Sequence, residues 1–435
     1  MLVEVPTGWS HARFGDVMTL QQRRETIDPA RIYRLLGVRW YGNGAFLREN
    51  RLGDGLSAQH IYPVQSGDVI YNRLFAWKGS FGLVGDDLAG CHVSNEFPLF
   101  SARLDRVDPQ FLLRILRLPR TAERADAFST GTTSISRNRL AEEDFLSFPL
   151  ALPPLPEQRA IAEVLREAEA AIARAEATVA ALAEAKHAAM RELLTRGIRR
   201  EKAPMKPLPS RWVLGRVAPD VTHIPSDWDL VTLTKVAKLE SGHTPSRDKA
   251  EYWGGDIPWL SLADTDALDA LEVHETSECI TAKGIKNSSA RILPVDTVVF
   301  SRTATVGKAT RMGREMATSQ DFANWVCGSA LHPAYLVQVF RHMGREWDRL
   351  EEGSTHQTIY MPVFKKLQIL LPSMSEQQKI AEVGEAFDLR ISNERTTRDT
   401  LARNRDALAQ ELLSGRMRLP DSMIARHRDN PGQAA

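Results

Sequence analysis

The chain contains a long stretch in which apolar side chains recur with the spacing of a helix. Over residues 157–194 they follow alternating steps of four and three, and Lys186 fills the one gap in the series. A sustained heptad of this kind is typical of a coiled-coil seam. The pattern predicts one helix over residues 157–196, with Gly197 supplying the stop. The apolar seam positions are Ile161, Leu165, Ala168, Ile172, Ala175, Val179, Leu182, Ala189 and Leu193.

The same segment occurs a second time, 219 residues further along. Leu155-Pro156-Glu157-Gln158-Arg159-Ala160-Ile161-Ala162 corresponds to Met374-Ser375-Glu376-Gln377-Gln378-Lys379-Ile380-Ala381. The second copy predicts a helix over residues 376–415 with a less apolar seam. That seam contains Ile380, Phe387, Ile391, Leu401, Leu408 and Leu412, and it is interrupted by Gly384, Glu394, Arg398 and Arg405.

A helix with one exposed apolar stripe gains most of its stability from a partner that covers the stripe. Since the two seams align at a common offset, we expect the helices to pack on each other as an antiparallel, pseudo-twofold coiled-coil pair. The alternative is that each helix pairs with a different protein.

The segments before the helices, residues 1–156 and 223–375, are predicted to be two domains built alike at their edges. The 219-residue offset also aligns Pro6 and Trp9 with Pro225 and Trp228. Both segments mix short strand-like runs with short helices, such as 109–117 and 333–341, which favours an α+β fold. Their interiors diverge, as expected of two scaffolds that recognise different ligands. Trp9, Trp228 and Trp259 are predicted to anchor the cores.

Two further segments differ in composition from the domains and helices. Residues 197–222 are rich in proline and basic side chains, which is typical of a linker. Residues 416–435 end in Asn430-Pro431-Gly432-Gln433-Ala434-Ala435 and are predicted to be a flexible tail.

The overall composition is that of a globular protein with little net charge. The 435 residues carry a net charge of +1, with 43% hydrophobic and 26% charged residues. A nearly neutral chain does not hold nucleic acid by its overall field, so any such binding requires local patches and a partner. No apolar run is long enough for a membrane span, and we expect a cytoplasmic protein. Three widely separated cysteines predict neither a disulfide framework nor a metal site.

Motifs that would carry catalysis are absent from the sequence. It contains no Asn-Pro-Pro-Phe/Tyr or Asp-Pro-Pro-Tyr segment of the kind that amino-methyltransferases use. It also lacks a phosphate-binding Gly-x-x-x-x-Gly-Lys-Ser/Thr loop, a His-Glu-x-x-His pair and a Gly-x-Ser-x-Gly elbow. We therefore expect a chain without catalysis, cofactor or metal of its own.

Over nearly its whole length the chain resembles the specificity (S) subunit of type I restriction–modification systems. The two copies of the Glu-Gln helix start carry the resemblance, together with the domain openings at residues 5–9 and 224–228. In the second domain, Tyr252-Trp253-Gly254-Gly255-Asp256 and the segment 296–308 also resemble the family's target-recognition domains. The first domain matches at Asn72-Arg73 and Gly131-Thr132-Thr133 but has no Tyr-Trp-Gly-Gly-Asp segment.

The resemblance implies two target-recognition domains held apart by the helix pair, each reading one half of a bipartite double-stranded DNA site. It also implies that methyltransferase subunits, expected to be two, dock on the helices and supply S-adenosylmethionine and the catalytic site. A restriction motor-nuclease subunit would join them. A non-DNA-binding coiled-coil adaptor that scaffolds a partner enzyme is the alternative.

Candidate DNA-contacting residues are polar, basic or aromatic side chains in predicted loops, because base edges are recognised by hydrogen bonds and phosphates by cations. In the first domain they are Arg39, Trp40, Tyr41, Arg73, Lys78, Thr133, Ser134, Ser136, Arg137, Asn138 and Arg139. In the second domain they are Arg247, Lys249, Lys283, Lys286, Asn287, Arg302, Lys308, Ser354, Thr355, His356 and Gln357.

Overall fold

A computed structural model of the chain describes residues 5–130, 138–198, 204–209, 214–218, 220–351 and 357–428. The chain divides into two compact units. Unit 1 comprises residues 1–173 and 399–435, and unit 2 comprises residues 174–398. Each unit therefore combines one domain with the start of one long helix and the end of the other.

The domain of unit 1 is built from short strands and helices, as predicted for an α+β fold. Its strands are β1 (Ser10–Arg13), β2 (Met18–Gln21), β3 (Glu25–Thr26), β4 (Ile32–Val38), β5 (Ala45–Leu52), β6 (His60–Pro63), β7 (Asp68–Tyr71), β8 (Phe81–Leu83), β9 (His92–Val93), β10 (Leu99–Ala102) and β11 (Pro149–Leu152). They pair in the orders β2-β10-β7-β8, β3-β6-β9-β4-β5 and β1-β11. The helices are α1 (Phe14–Val17), α2 (Pro109–Leu116), α3 (Pro119–Phe128), α4 (Glu142–Leu146) and the long α5 (Leu155–Arg196).

Unit 2 repeats this plan with a different interior. Its strands are β12 (Met205–Pro207), β13 (His223–Pro225), β14 (Asp229–Thr232), β15 (Ala237–Ser241), β16 (Trp253–Leu260), β17 (Glu272–Val273), β18 (Cys279–Ile280), β19 (Val298–Ser301), β20 (Ala309–Met312), β21 (Ala317–Thr318), β22 (Phe322–Cys327) and β23 (Gln368–Leu371). They pair in the orders β15-β22-β19-β20-β17, β18-β16-β21, β14-β23 and β12-β13. The helices are α6 (Ala282–Lys286), α7 (Pro333–His342), α8 (Gly344–Leu350), α9 (Met361–Phe364) and the long α10 (Met374–Ser414).

The frame of each domain is the same at the 219-residue offset. Strand β1 pairs antiparallel with β11, and β14 pairs in the same way with β23, so that Ser10 lies opposite Leu152 and Asp229 opposite Leu371. Trp9 donates its indole N–H to Glu157 at 3.2 Å, and Trp228 donates to Glu376 at 3.0 Å. Trp9, Trp228 and Trp259 are all buried, as predicted.

The heptad seam of α5 is confirmed by its burial. Near the middle of the helix the positions predicted for the seam are buried or half-buried, whereas most intervening side chains are exposed. In unit 1, Ile161 and Leu165 share a core with Leu412 and Leu413 of α10. In unit 2, Met190 and Leu194 share a core with Ile380 and Ala381. The start of one long helix packs beside the end of the other in each unit, so the pair is antiparallel.

The element boundaries differ from the predictions at the starts of both long helices, in the linker and in the tail. Helices α5 and α10 each begin two residues before the predicted 157 and 376, because the Leu-Pro and Met-Ser pairs already form the first turn. The predicted linker 197–222 contains β12, which pairs with the domain strand β13. The predicted tail contains helix α11 (Asp421–Ala425), and Arg418 binds Glu157 with two hydrogen bonds of 2.7 and 2.9 Å. Residues 416–428 are thus tied to unit 1, and 429–435 lie outside the described residues.

Candidate nucleic-acid interface

Arg73 and Arg302 occupy the same place in their two domains, two residues after the end of β7 and one residue after the end of β19. The N–H of Arg73 donates to the Glu96 carbonyl at 3.0 Å, and that of Arg302 donates to the Asp321 carbonyl at 3.0 Å. Their carbonyls accept from Leu140 at 3.2 Å and Ile359 at 2.9 Å, respectively. The residues that donate these two hydrogen bonds, Leu140 and Ile359, are again 219 residues apart. The two arginines lie 229 residues apart and not 219, and these hydrogen bonds show that their backbone positions are nevertheless equivalent.

Both guanidinium groups are already bonded within their domains. Arg73 forms an ion pair with Glu142. Arg302 donates Nε to the Gln320 carbonyl at 2.9 Å and Nη1 to the Ile359 carbonyl at 3.3 Å. Burial lowers the pKa of Arg302 from its ordinary value. These contacts fix each arginine side chain within its own domain.

Several of the candidate residues fall in the segments 131–137 and 352–356. Thr133, Ser134, Ser136 and Arg137 in unit 1, and Ser354, Thr355 and His356 in unit 2, lie outside the described residues.

The described residues that flank the segments 131–137 and 352–356 are held by hydrogen bonds. Thr130 and Arg139 bond each other through both backbone groups at 3.0 Å, and the exposed Arg139 side chain reaches Glu96 at 2.8 Å. Asn138 is half-buried. Gln357 is exposed, while its carbonyl accepts from Ala304 at 3.1 Å. The exposed amide of Gln357 has the donor and acceptor needed to recognise an adenine edge.

In unit 1 the structure brings Trp40, Tyr41 and Lys78 together at one exposed corner. Lys78 Nζ lies 3.7 Å from the Trp40 ring centroid, and the Tyr41 N–H donates to the Lys78 carbonyl at 2.8 Å. Tyr41 is 75% exposed and adopts a φ of +58°, a left-handed conformation that costs energy for a bulky residue. Arg39 lies over the Phe46 ring at 4.5 Å. We define Trp40, Tyr41 and Lys78 as the aromatic corner.

In unit 2 a second cationic and aromatic group surrounds Arg247. Its guanidinium lies 3.8 Å from the Trp253 ring centroid and bonds both oxygens of Glu278 at 2.5 and 2.8 Å. The hydrogen bond from Arg247 lowers the pKa of Glu278. Lys283 on α6 pairs with Glu251 at 2.7 Å, next to the turn that follows Lys249.

Of the remaining candidates of unit 2, Lys286 and Asn287 lie at the end of α6, and Lys308 lies apart from them. Asn287, at the C-terminal end of α6, donates its side-chain amide to the Lys283 carbonyl at 2.9 Å, and Lys286 is the last residue of that helix. Lys308 instead contacts Asp269 at 2.9 Å and Asp266 at 3.8 Å, beside the 3-10 helix Leu262–Asp269. The acidic partners of these cations were not recognised from the sequence.

A polar cavity of about 270 Å³ lies beside Arg73 in unit 1. Its lining includes Gln21, Gln22, Arg24 and Asn95, which sequence reasoning did not select. Amide and guanidinium groups of this kind can hydrogen-bond base edges or phosphates. In the sequence, the polar run Gln21-Gln22-Arg23-Arg24 at the end of β2 was the pattern that could have indicated these lining residues.

Within the part of the chain that the structure describes, no group of three or more His, Cys, Asp or Glu side chains is placed to hold a metal ion. None of the described helices is long and apolar enough to cross a membrane.

Comparison with known proteins identifies relatives for both units. The family described as "Type I restriction modification DNA specificity domain" matches residues 6–181 and 225–403. The MjaIX specificity subunit of Methanocaldococcus jannaschii is 31% identical over 193 residues, which is 44% of this chain and 45% of that protein. The MjaVIII specificity subunit of the same organism is 21% identical over 96% of this chain and 95% of its own length.

A solved structure also shares the fold. A chain from a study of complex assembly and conformational transition of the type I R-M system superposes with a TM-score of 0.58 at 19% identity. The superposition covers 95% of this chain and 100% of that chain.

Proposed function

Because this chain belongs to the type I restriction–modification DNA specificity family, we propose that it is the DNA-recognition subunit of a type I restriction–modification complex. In this proposal the two domains read the two halves of a bipartite double-stranded site. The long helices set the spacer between the halves and dock the catalytic subunits.

One observation supports two separate readers above all others. The frames of the two domains share equivalent hydrogen bonds, as at Trp9–Glu157 and Trp228–Glu376. The candidate surfaces do not repeat, because the aromatic corner of unit 1 has a different make-up from the Arg247–Trp253 group of unit 2. Recognition of two unlike half-sites requires dissimilar contact surfaces, and the two domains carry such surfaces on the frame that they share.

The ion pairs at the candidate surfaces are consistent with a DNA-binding subunit that needs a partner protein for high affinity. Arg73, Arg139, Arg247, Lys283 and Lys308 each have a carboxylate partner within the chain. DNA phosphates must compete with these carboxylates, so the chain alone would bind weakly and with a strong dependence on salt. A methyltransferase that adds its own phosphate contacts would raise the affinity.

The expected partners follow from the family. We expect two methyltransferase subunits on the helices, with S-adenosylmethionine bound to them and not to this chain, and restriction motor-nuclease subunits in the full complex. This chain is non-catalytic by family, and its place of action would be the cytoplasm, where the chromosomal DNA lies.

The test maps methylated adenines in cells that express this chain with its methyltransferase partner. Replacing Lys78 and Tyr41 with alanine should change or relax the bases of one half-site only. Gln357→Ala should do so for the other half-site, at a cost of about 1–3 kcal/mol for a lost bidentate base contact. Gln378→Ala, an exposed glutamine on α10, is the matched control and should leave both halves unchanged.

Two results would contradict the proposal. Simultaneous loss of specificity in both halves from a variant in one unit would exclude independent readers. A partner methyltransferase that finds the same bipartite site without this chain would indicate an adaptor that scaffolds the enzyme without reading DNA.

A further inference from the structure

A partly buried carboxylate joins three elements in unit 1. Glu169 on α5 accepts hydrogen bonds from Arg114 at 2.5 Å and Arg117 at 3.2 Å, both at the end of α2. Arg405 of α10 approaches the same oxygen at 3.6 Å. Glu169 therefore links its own helix to the domain and to the antiparallel helix.

Unit 2 contains a cluster of the same design. Asp388 on α10 accepts from Lys186 of α5 at 2.6 Å, and from Gln338 and Arg341 of α7 at 2.9 and 2.8 Å. The Lys186, Asp388 and Arg341 side chains are only 14–15% exposed. Lys186 is the residue that fills the gap in the apolar seam, so its seam position holds a cation bonded to a carboxylate.

The two clusters, which we define as the junction clusters, occupy equivalent positions in every member. Glu169 and Asp388 are each the fifteenth residue of their long helix, and Lys186 and Arg405 are each the thirty-second. Arg114 and Gln338 are sixth, and Arg117 and Arg341 ninth, counted from the proline that starts α2 or α7. One antiparallel register of the two helices satisfies both clusters at once. A shift by one heptad would separate both pairs.

The two arginines extend the junction clusters to the domains. Arg117 also donates Nε to the Gly42 carbonyl at 2.8 Å, next to the aromatic corner. Arg341 also donates to the carbonyls of Ala309 at 2.9 Å and Ala270 at 2.6 Å. Each cluster thus connects the helix pair with the backbone of its domain.

A charged group at a seam position costs stability relative to an apolar residue, while a polar seam residue specifies register. Burial lowers the pKa of Lys186. Burial alone would raise the pKa of Asp388, but the charges of Arg341 and Lys186 and the hydrogen bonds from Gln338 and Lys186 together lower it. An apolar seam residue would fit several registers about equally well, whereas this pair fits one.

From these contacts we infer that the junction clusters select a single register of the two long helices and thereby the single spacer length that the complex accepts. Lys186 and Arg405 are positioning residues, which act on the spacer through the helices and do not contact DNA. The inference about the spacer rests on the proposed DNA-reading function, and the inference about register does not.

The experiment replaces both seam cations with an apolar residue of similar length, Lys186→Met and Arg405→Met. Spin-labelled unnatural residues at the exposed positions Ala185 and Leu389 report the register in the full chain by electron–electron distance measurement. The same variants, without labels and co-expressed with the methyltransferase partner, report the spacer by mapping of methylated adenines. Thermal unfolding is followed for every variant.

We expect the K186M/R405M chain to remain folded, because Asp388 keeps Arg341 and Glu169 keeps Arg114 and Arg117. We expect it to show a second, longer label distance, because a register shift by one heptad moves the two labels apart by about 10 Å along the helix axis. Both half-site sequences should persist, with spacers of more than one length. The conservative variant K186R/R405K should restore a single distance and a single spacer. The control R166M/R395M makes the same charge change at exposed helix positions and should behave as the unaltered chain.

A single unchanged label distance in K186M/R405M would overturn the register inference, whatever happens to methylation. Two label distances with one unchanged spacer would overturn its extension to spacer length. A lower melting temperature with one label distance would show a purely structural role and also overturn the inference. Absence of any bipartite methylation by the unaltered chain would count against the proposed function, while the label distances would still decide the register.

Discussion

At the scale of single residues, one glutamine in each unit holds the domain to the start of its long helix. Gln158 and Gln377 are fully buried, and each donates to the carbonyl of the proline before the helix, at 2.8 and 2.9 Å. The same side chains accept from the N–H of Asp108 and His332 at 2.8 Å. A buried amide that bonds several backbone groups fixes the angle at which the chain enters the helix.

Replacing Gln377 with alanine should lower the free energy of unfolding by on the order of 3 kcal/mol, because the His332 N–H and the Ala330 and Pro372 carbonyls lose a side-chain partner. Urea unfolding of the full chain measures the change. The adjacent Gln378→Ala, at an exposed position, should change stability by no more than about 0.5 kcal/mol. Equal effects from the two neighbouring glutamines would show that the buried hydrogen bonds contribute little.

At the scale of elements, the long helices combine an apolar seam with a few polar positions whose partners are specific. Most apolar seam positions only exclude water, and they tolerate several alignments of two helices. Lys186 adds a hydrogen bond to Asp388, and Arg405 adds an ion pair with Glu169 at 3.6 Å, each at a defined position along the partner helix. An insertion in both helices between the two junction clusters would therefore change the distance from one cluster to the other and leave the contacts within each cluster intact.

Inserting seven residues in each helix, within 170–185 and within 389–404, should preserve the seam and both junction clusters. The helices would lengthen by about 10 Å, and the methylated site should gain roughly three base pairs of spacer at about 3.4 Å per base pair. Mapping of methylated adenines measures the spacer, with the half-sites as internal controls. Insertion in one helix alone misaligns the clusters and should reduce methylation, and a lengthened spacer from that variant would contradict this account.

At the scale of the whole molecule, the chain consists of two units with a common frame and separate cores. Each unit has its own buried cluster, centred on residues such as Phe100 and Phe145 in unit 1 and Phe300 and Trp325 in unit 2. The frames meet the helices through equivalent contacts, Trp9 with Glu157 and Trp228 with Glu376. The contact surfaces can therefore change while the attachment stays the same.

A chain in which a copy of residues 6–152 replaces residues 225–371 should keep its attachment to the helices, because both ends of the replaced segment are equivalent. Expressed with the methyltransferase partner, it should methylate sites that contain the unit 1 half-sequence twice. The reciprocal replacement should methylate sites with the unit 2 half-sequence twice. Retention of the original asymmetric site by either chimera would contradict the assignment of one half-site to each domain.

The sequence by itself determined the duplication, the two long helices, their seam and the α+β class of the domains. These features depend on local periodicity and on repeated spacing, both of which are visible in a linear chain. Even the polar irregularities of the seam, at Lys186 and Arg405, were visible as interruptions.

The tertiary structure alone decided what those interruptions and the candidate cations contact. Lys186 meets Asp388 across 202 residues, and Lys78 meets Trp40 across 38, through packing that no local pattern encodes. The same holds for the β12 pairing within the predicted linker and for the bonds that hold Arg418 in the predicted tail. Periodicity specifies which face of an element is buried, but the partner of a charged side chain depends on how distant elements pack.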